Sequence, residues 1–508
     1  MRVSPLAVSL VGLLLAAGCA DSGAEKVPPP TVTVGGAPSP AAQSGGTFSK
    51  EGWFGGADGL HARINVKSVQ RQVGKAVLRY SVTSLDSSTK SAPFEIALID
   101  PVGRKLYKPT GTTSGSGFTP GATREMAAEY PPIPADVQKV TAITPGTAGE
   151  FTGIPVTDAA SSGSPSASAP PSGSGMPTMP SRTPSGRPPA RGEPSVGAEP
   201  FGRVRPFTAP TLSPSSSPST SPSAGTGANP VDLYDIVEGE TRDVTSGPSE
   251  VTVSLRADVL FDGASAKLSD RAKAVLDETA QQIKTKAAGA LTFEGHTSEA
   301  DTNLSKDRAD AVMKEMKTRL GDGFTYTASG KGNTEPVAKD AARNNRVEIS
   351  YQVKASARGT TSPAAFRPED GKTVATRTAS FGADKRRLDV KPFYRDGAYI
   401  VAVFDIVNQG PGTTPPDASY PDPNYPGGVF GSFSIQTPGG KDVYRAVRVG
   451  PANPSGTSIY VDPGRATFLT AVGKPDRGFV YLPAPSGSVT SVTFNAGPFG
   501  KIEKVPVS

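Results

Sequence analysis

The sequence predicts a multidomain chain: an α+β domain set between two antiparallel β-sandwiches, with long disordered linkers. Three observations carry this. Alternation of period two, broken by Gly and Pro turns, fills the flanking parts. Helical and strand periods mix only within Val251–Val353. Finally, 49 of the 70 residues Ser161–Pro230 are Ser, Pro, Gly or Ala, too few apolar groups to offset the entropy of ordering them. The predicted division is 1–18 export signal, 19–46 disordered tether, 47–157 first sandwich, 158–230 linker, 231–354 α+β domain, 355–371 short linker and 372–508 second sandwich.

Composition narrows the function. One Cys in 508 residues excludes an internal disulfide and a Cys-based metal site. Two His leave little room for His-ligated metal or His-driven catalysis, so no cofactor is expected. A net charge of +6, with both signs interspersed, suits an anionic surface or wall polymer and is not a nucleic-acid signature.

The chain starts MRVSPLAVSLVGLLLAAGC. Its apolar run, Leu6–Ala17, is too short at about 1.5 Å per residue to span ~30 Å of hydrocarbon. It reads as the core of an export signal. The small residues Ala16, Ala17 and Gly18 before Cys19 resemble a bacterial lipobox, with Leu15 one place early. That resemblance implies that Cys19 carries a diacylglycerol. Two acyl chains anchor stably where one is marginal.

Two flanking segments share landmarks in one order. Ile64–Ser84 and Leu388–Asn408 are alternating strands around Gly74 and Asp396-Gly397. Ile96–Tyr107 matches Ser434–Tyr444, Tyr130–Ile143 matches Tyr481–Phe494, and Ile154–Val156 matches Val505–Val507. The second copy has longer loops, notably Gly410–Gly428. An immunoglobulin-like module without its disulfide fits both copies.

In the middle, Val251–Phe261 alternates as a strand. Leu268–Lys284 is a helix with Ser269 as N-cap and Leu276, Ala280 and Ile283 on one face. Leu291–Gly295 is a strand, and Asn303–Leu320 a helix with the stripe Ala309, Val312, Met316 and Leu320. Strands Phe324–Gly330 and Arg346–Val353 complete a β-α-β-α-β-β order. Arg346 and Glu348 alternate on the last strand as an ion pair. Tyr394, Tyr399, Tyr420 and Tyr425 belong to the sandwich surface or core, or to a surface for a partner or glycan.

GHT at Gly295–Thr297, NLSxxRAxxV at Asn303–Val312, GxGxxxP at Gly330–Pro336 and NxRVEI at Asn344–Ile349 occur together in that order. The set resembles the OmpA-like peptidoglycan-binding domain, over about 100 residues. The resemblance implies non-covalent binding of the diaminopimelate of the wall's stem peptide. The pocket would lie between the loop after GHT, with Thr297, and the next helix. Arg308 would grip a ligand carboxylate there; the alternative is that it pairs with Glu299 or Asp307. Asn303 would hold the loop or touch ligand. Phe261 and Asp262 would border the pocket or pack in the core. Ser298 departs from the family, which has an acid here to accept the ligand's ammonium. Either Glu299 or Asp301 replaces that charge, or affinity falls.

The expected protein is a non-enzymatic, lipid-anchored protein of the cell membrane's outer face that holds peptidoglycan. The alternative is an envelope adaptor whose sandwiches bind protein partners, its OmpA-like domain only localising it or having lost its ligand. The anchor is testable directly. Cys19→Ala should abolish lipid labelling and release the protein into the medium, and unchanged detergent partitioning would overturn the assignment.

Overall fold

The computed structural model describes residues 48–159 apart from 56–58 and 112–116. It also describes 229–508 apart from 339–340, 355–360, 413, 415–417, 454–456 and 465–470. The predicted signal, Cys19, the tether and nearly all of the 158–230 linker lie outside the described residues. Among the described residues, no helix is long and apolar enough to cross a membrane.

The first β-rich region contains β1 (Phe48–Phe54), β2 (Leu60–Gln72), β3 (Lys75–Ser84), β4 (Ala97–Asp100), β5 (Lys105–Tyr107), β6 (Thr123–Tyr130), β7 (Lys139–Ile143) and β8 (Glu150–Asp158). Along β2, Leu60, Ala62, Ile64 and Val66 are buried in turn, so alternation gives it an apolar face. Antiparallel pairing runs β1–β2–β3–β6 and β5–β4–β7–β8. The end of β2 joins β8 in parallel.

The middle part holds β9 (Val231–Glu238), β10 (Arg242–Ser246), β11 (Glu250–Arg256), α1 (Ala257–Leu260), α2 (Asp270–Lys286), β12 (Ala287–His296), α3 (Thr302–Leu320), β13 (Thr325–Gly332), α4 (Ala341–Asn344) and β14 (Arg346–Val353). Strand β14 lies antiparallel between β11 and β12, and β13 joins β12 in parallel. Ala272, Leu276 and Ile283 of α2 share a core with Ala309, Val312 and Met316 of α3 and with the sheet. Ser269 caps α2, its side chain accepting from Ala272 N. The strand expected to run to Phe261 stops at Arg256. Ala257 and Leu260 are buried while Asp258 is exposed, a helical spacing that alternation misreads.

The last region contains β15 (Ala375–Phe381), β16 (Asp384–Val390), β17 (Tyr394–Asp396), β18 (Tyr399–Gly410), β19 (Phe433–Gln436), β20 (Val443–Arg445), β21 (Arg448–Val449), β22 (Ile459–Tyr460), β23 (Pro475–Pro483), β24 (Ser491–Ala496) and β25 (Lys501–Pro506). Its pairing runs β15–β16–β18–β23 and β20–β19–β24–β25, all antiparallel. A parallel bridge joins Phe393 to Val507, where the first region joins β2 to β8. The two regions thus share one pairing order. Tyr394, Tyr399 and Tyr420 are buried, which removes them from any surface.

These parts are packed together. Strand β9 pairs with β5 of the first region, β10 of the middle part, and β20 and β21 of the last. Ile99, Leu106, Leu233, Val401, Phe479 and Tyr481 share one buried cluster across the seam. Gly397, at φ 60, carries a backbone hairpin against Pro101; a Cβ there would meet Pro101 O at 2.5 Å. The 355–371 stretch, expected as a linker, contributes Asp370 and Phe366 to this seam.

Arg477 is the seam's central cation. Its Nη1 and Nη2 donate to Glu150 Oε2 and Oε1 at 3.0 and 2.7 Å, and its Nε donates to Asp370 Oδ2 at 2.6 Å. Tyr394 Oη donates to Glu150 Oε1 at 2.7 Å. Burial alone would raise the Glu150 carboxyl, but Arg477 and Lys50 hold it at about 2, below its ordinary 4.5. Among the described residues Asp396 pairs with no such cation. It accepts from Thr141 Oγ1, Tyr481 Oη and Ala364 N, and burial pushes it up to about 6 from 3.8.

The two carboxyls make opposite predictions. Glu150's contribution is full above its ordinary value and is lost as pH falls toward 2. Asp396 binds its proton more tightly when folded, so stability falls as pH rises from 3.8 toward 6. Denaturant midpoints of the full chain across this range measure both. Arg477→Ala should cost about 3–5 kcal/mol near neutrality by stranding buried carboxylates, and should flatten the acid limb. Asp396→Asn should flatten the limb between its two pKa values. Curves that coincide with the parent's would contradict these assignments.

Candidate functional site

Strand β12 ends at His296, and the chain turns sharply before α3. Thr297 N donates to Gly332 O at 2.9 Å, and Thr297 Oγ1 to Glu299 O at 2.7 Å. Asp301 caps α3, its Oδ1 accepting from Leu304 N at 2.8 Å. The glycine of GHT is required by close approach: a Cβ on Gly295 would meet Ser305 O at 1.8 Å. Ser305 ties the helix to β13, its Oγ accepting from Gly332 N at 3.1 Å.

These turns enclose a cavity of about 480 Å³. Its walls come from α1 and the turn after it, the loop after β12, the first turns of α3, and α4 with Asn345. Six of the expected residues line it: Phe261, Thr297, Ser298, Glu299, Asp301 and Arg308. Two do not. Asn303 is exposed at the start of α3 outside the lining. Asp262 is exposed and pairs with Lys267, its Oδ2 3.0 Å from Nζ.

Arg308 is 4% exposed. Its Nε donates to Ser265 O at 3.0 Å and its Nη2 to Gly263 O at 3.2 Å. The guanidinium lies 5.0 Å from the Phe261 ring centroid. So Phe261 serves core and cavity together. Among the described residues Arg308 forms no ion pair with Glu299 or Asp307. One edge of the guanidinium is held by main chain, which leaves Nη1 for a ligand. Burial lowers its pKa, and Asp301 partly offsets this.

Two lining residues with polar side chains escaped the sequence reading. Asn345 receives Ser298 N on its Oδ1 at 3.0 Å and donates from Nδ2 to Ser298 Oγ at 3.1 Å. Its signal was the doubled Asn344-Asn345 before the last strand. Asp258 was hidden in the apparent alternation of the first strand. With Glu299 and Asp301 it gives the cavity three carboxylates alongside one buried guanidinium. Such a lining suits a ligand carrying both carboxylate and ammonium groups.

His296 is buried beneath this loop, with neither ring nitrogen hydrogen-bonded among the described residues. Burial, then Arg346, lowers its pKa below the ordinary value. It makes no contact with Ser298 that would activate a nucleophile. Glu294, His296 and Glu335 bring ligand atoms within 4.8 Å of one another. The Lys331 ammonium already occupies that cluster, 3.1 Å from each carboxylate. Arg346 and Glu348 form an ion pair at 2.6 Å.

The OmpA family model matches residues 260–350. No curated protein matches the chain. Among solved structures, the cell wall anchor of the T6SS from Pseudomonas aeruginosa is 28% identical, over 23% of this chain and 90% of that one, with a TM-score of 0.21. The periplasmic domain of Helicobacter pylori MotB (residues 90–256) is 22% identical, over 23% and 83%, with a TM-score of 0.22. The OmpA-like domain of FopA1 from Francisella tularensis subsp. tularensis SCHU S4 is 25% identical, over 24% and 86%, with a TM-score of 0.20. Residues 260–350 of this chain are an OmpA-like domain.

Proposed function

We propose that this chain is a non-enzymatic envelope protein that binds peptidoglycan non-covalently through its OmpA-like domain. Its lipid anchor is Cys19, on the outer face of the cell membrane, so the protein ties membrane to wall. The flanking regions are two immunoglobulin-like β-sandwiches descended from one module, and their shared pairing order supports that reading.

The observation that carries the function is Arg308. Among the described residues Arg308 is bonded only to main-chain carbonyls, so its guanidinium can still take an anion from the cavity it lines. A diaminopimelate carboxylate, entering beside the first turns of α3, supplies that anion. The ligand's ammonium then faces Asp258, Glu299 and Asp301, whose carboxylates take over the role the family gives to an acid at position 298.

Binding of the full chain to insoluble peptidoglycan tests this, with a diaminopimelate-bearing fragment as competitor. Arg308→Ala should weaken binding by about ten- to hundredfold, because hydrogen bonds to charged groups contribute on the order of 1.5–3 kcal/mol. Ser298→Asp should be neutral or harmful, because Asp258, Glu299 and Asp301 already supply the negative charge beside it. Failure of the parent to bind wall would overturn the proposal.

A further inference from the structure

One wall of the cavity is held from outside the OmpA-like domain. Ala342 and Asn345 line the cavity, and Asn345 fixes Ser298 on the opposite loop. Ala342 belongs to α4, a helix of four residues, and Asn345 follows it directly. A single turn has little stability of its own, so its position depends on what its side chains grip.

Two side chains grip in different directions. Asn344 turns back on its own loop, its Oδ1 accepting from Val337 N at 2.9 Å and Ala338 N at 3.1 Å. Arg343 turns away from the cavity. Its Nη1 donates to Glu238 of β9, and its Nη2 donates to Asp243 of β10 and to Tyr425 Oη, both at 2.9 Å. The guanidinium also lies 5.6 Å from the Tyr425 ring centroid.

Tyr425 belongs to the loop between β18 and β19 of the last region. A second guanidinium, Arg445, lies 5.7 Å from the same ring. Arg445 Nε donates to Glu238 Oε2 at 2.7 Å, and its Nη1 to Asp422 Oδ2 at 2.9 Å. Arg343, Glu238, Arg445, Asp422 and Tyr425 therefore form one largely buried network. It runs from the last region to the cavity wall.

We infer that Arg343 is a positioning residue for the ligand cavity, and that the last β-rich region, through Tyr425 and Arg445, sets the affinity of the OmpA-like domain. The inference rests on the wall-binding reading for its ligand, but its geometry is independent of that reading. Coupling of this kind is reciprocal: ligand in the cavity firms the docking of the Tyr425 loop.

Two measurements on the full chain test it. The first is amide hydrogen exchange without ligand. Tyr425→Ala and Arg343→Ala should speed exchange at 297–301 and 341–346 by about tenfold, and leave the β11–β14 pair unchanged. The second is affinity for a soluble diaminopimelate-bearing wall fragment. Tyr425→Ala should weaken it about five- to tenfold, the low end of coupling between sites. Tyr425→Phe, which keeps the ring and loses one hydrogen bond, should fall between. Arg343→Lys should recover part of what Arg343→Ala loses. Unchanged exchange at both segments overturns the inference, whether or not the protein binds wall. So does an affinity loss that merely follows the loss of global stability across the variants. Faster exchange in a parent protein that ignores the wall fragment upholds the coupling and overturns the wall-binding reading instead.

Discussion

Strand β9 holds the three parts of the described chain in register with one another. It pairs along its length with strands from all three parts, and each of its acids meets a base. Lys105 of the first region pairs with Asp232, and Arg104 lies 2.8 Å from Asp235. Glu238 takes Arg343 from the middle part and Arg445 from the last. Burial pushes Asp235 up to about 6 even with Arg104 beside it, so the pair contributes little net stability. What such pairs supply is register. A one-residue slip of β9 would turn its apolar residues outward and leave several buried charges without partners.

The long Ser- and Pro-rich segment does not conflict with this docking. It joins Asp158, where β8 ends, to Val231, where β9 begins. Closing a flexible loop costs only about 0.6 kcal/mol more for each doubling of its length. Composition therefore reports how the segment itself behaves. It says nothing about whether the elements at its two ends meet, which is why the sequence suggests separate modules and the structure packs them together.

What the sequence made legible was local. The Ser269 cap, the apolar stripe of α3 and the alternation of β14 are each set within a few residues, and each lies where periodicity places it. The failures were long-range or hidden by a rival period. Asp258 sits in a helical turn that reads as one more step of strand alternation. Asn345 matters only because the fold brings it to Ser298, 47 positions away. Glu150 and Arg477, 327 residues apart, carry no pattern that names either as the other's partner. In the site itself the motif spacing marked six lining residues. Asn303 and Asp262 lie outside that lining, since spacing orders residues along a loop without saying which way they face.

On the proposed reading, the departure at Ser298 moves the acid of the site to neighbouring positions. An acid at 298 would carry its carboxylate on the loop alone. Ser298 has its hydroxyl and its amide both engaged by Asn345, and the loop is tied to the α4 wall. That tie transfers the position of α4 to the loop. Position in turn reaches α4 through Arg343 from the loop between β18 and β19, a connection that is short in the first region, where β3 ends at Ser84 and β4 begins at Ala97. The two copies of the β-rich pairing order thus differ where one of them reaches α4. The longer connection gives the last region its contact with Arg343 of α4, while the strands beneath it hold the seam.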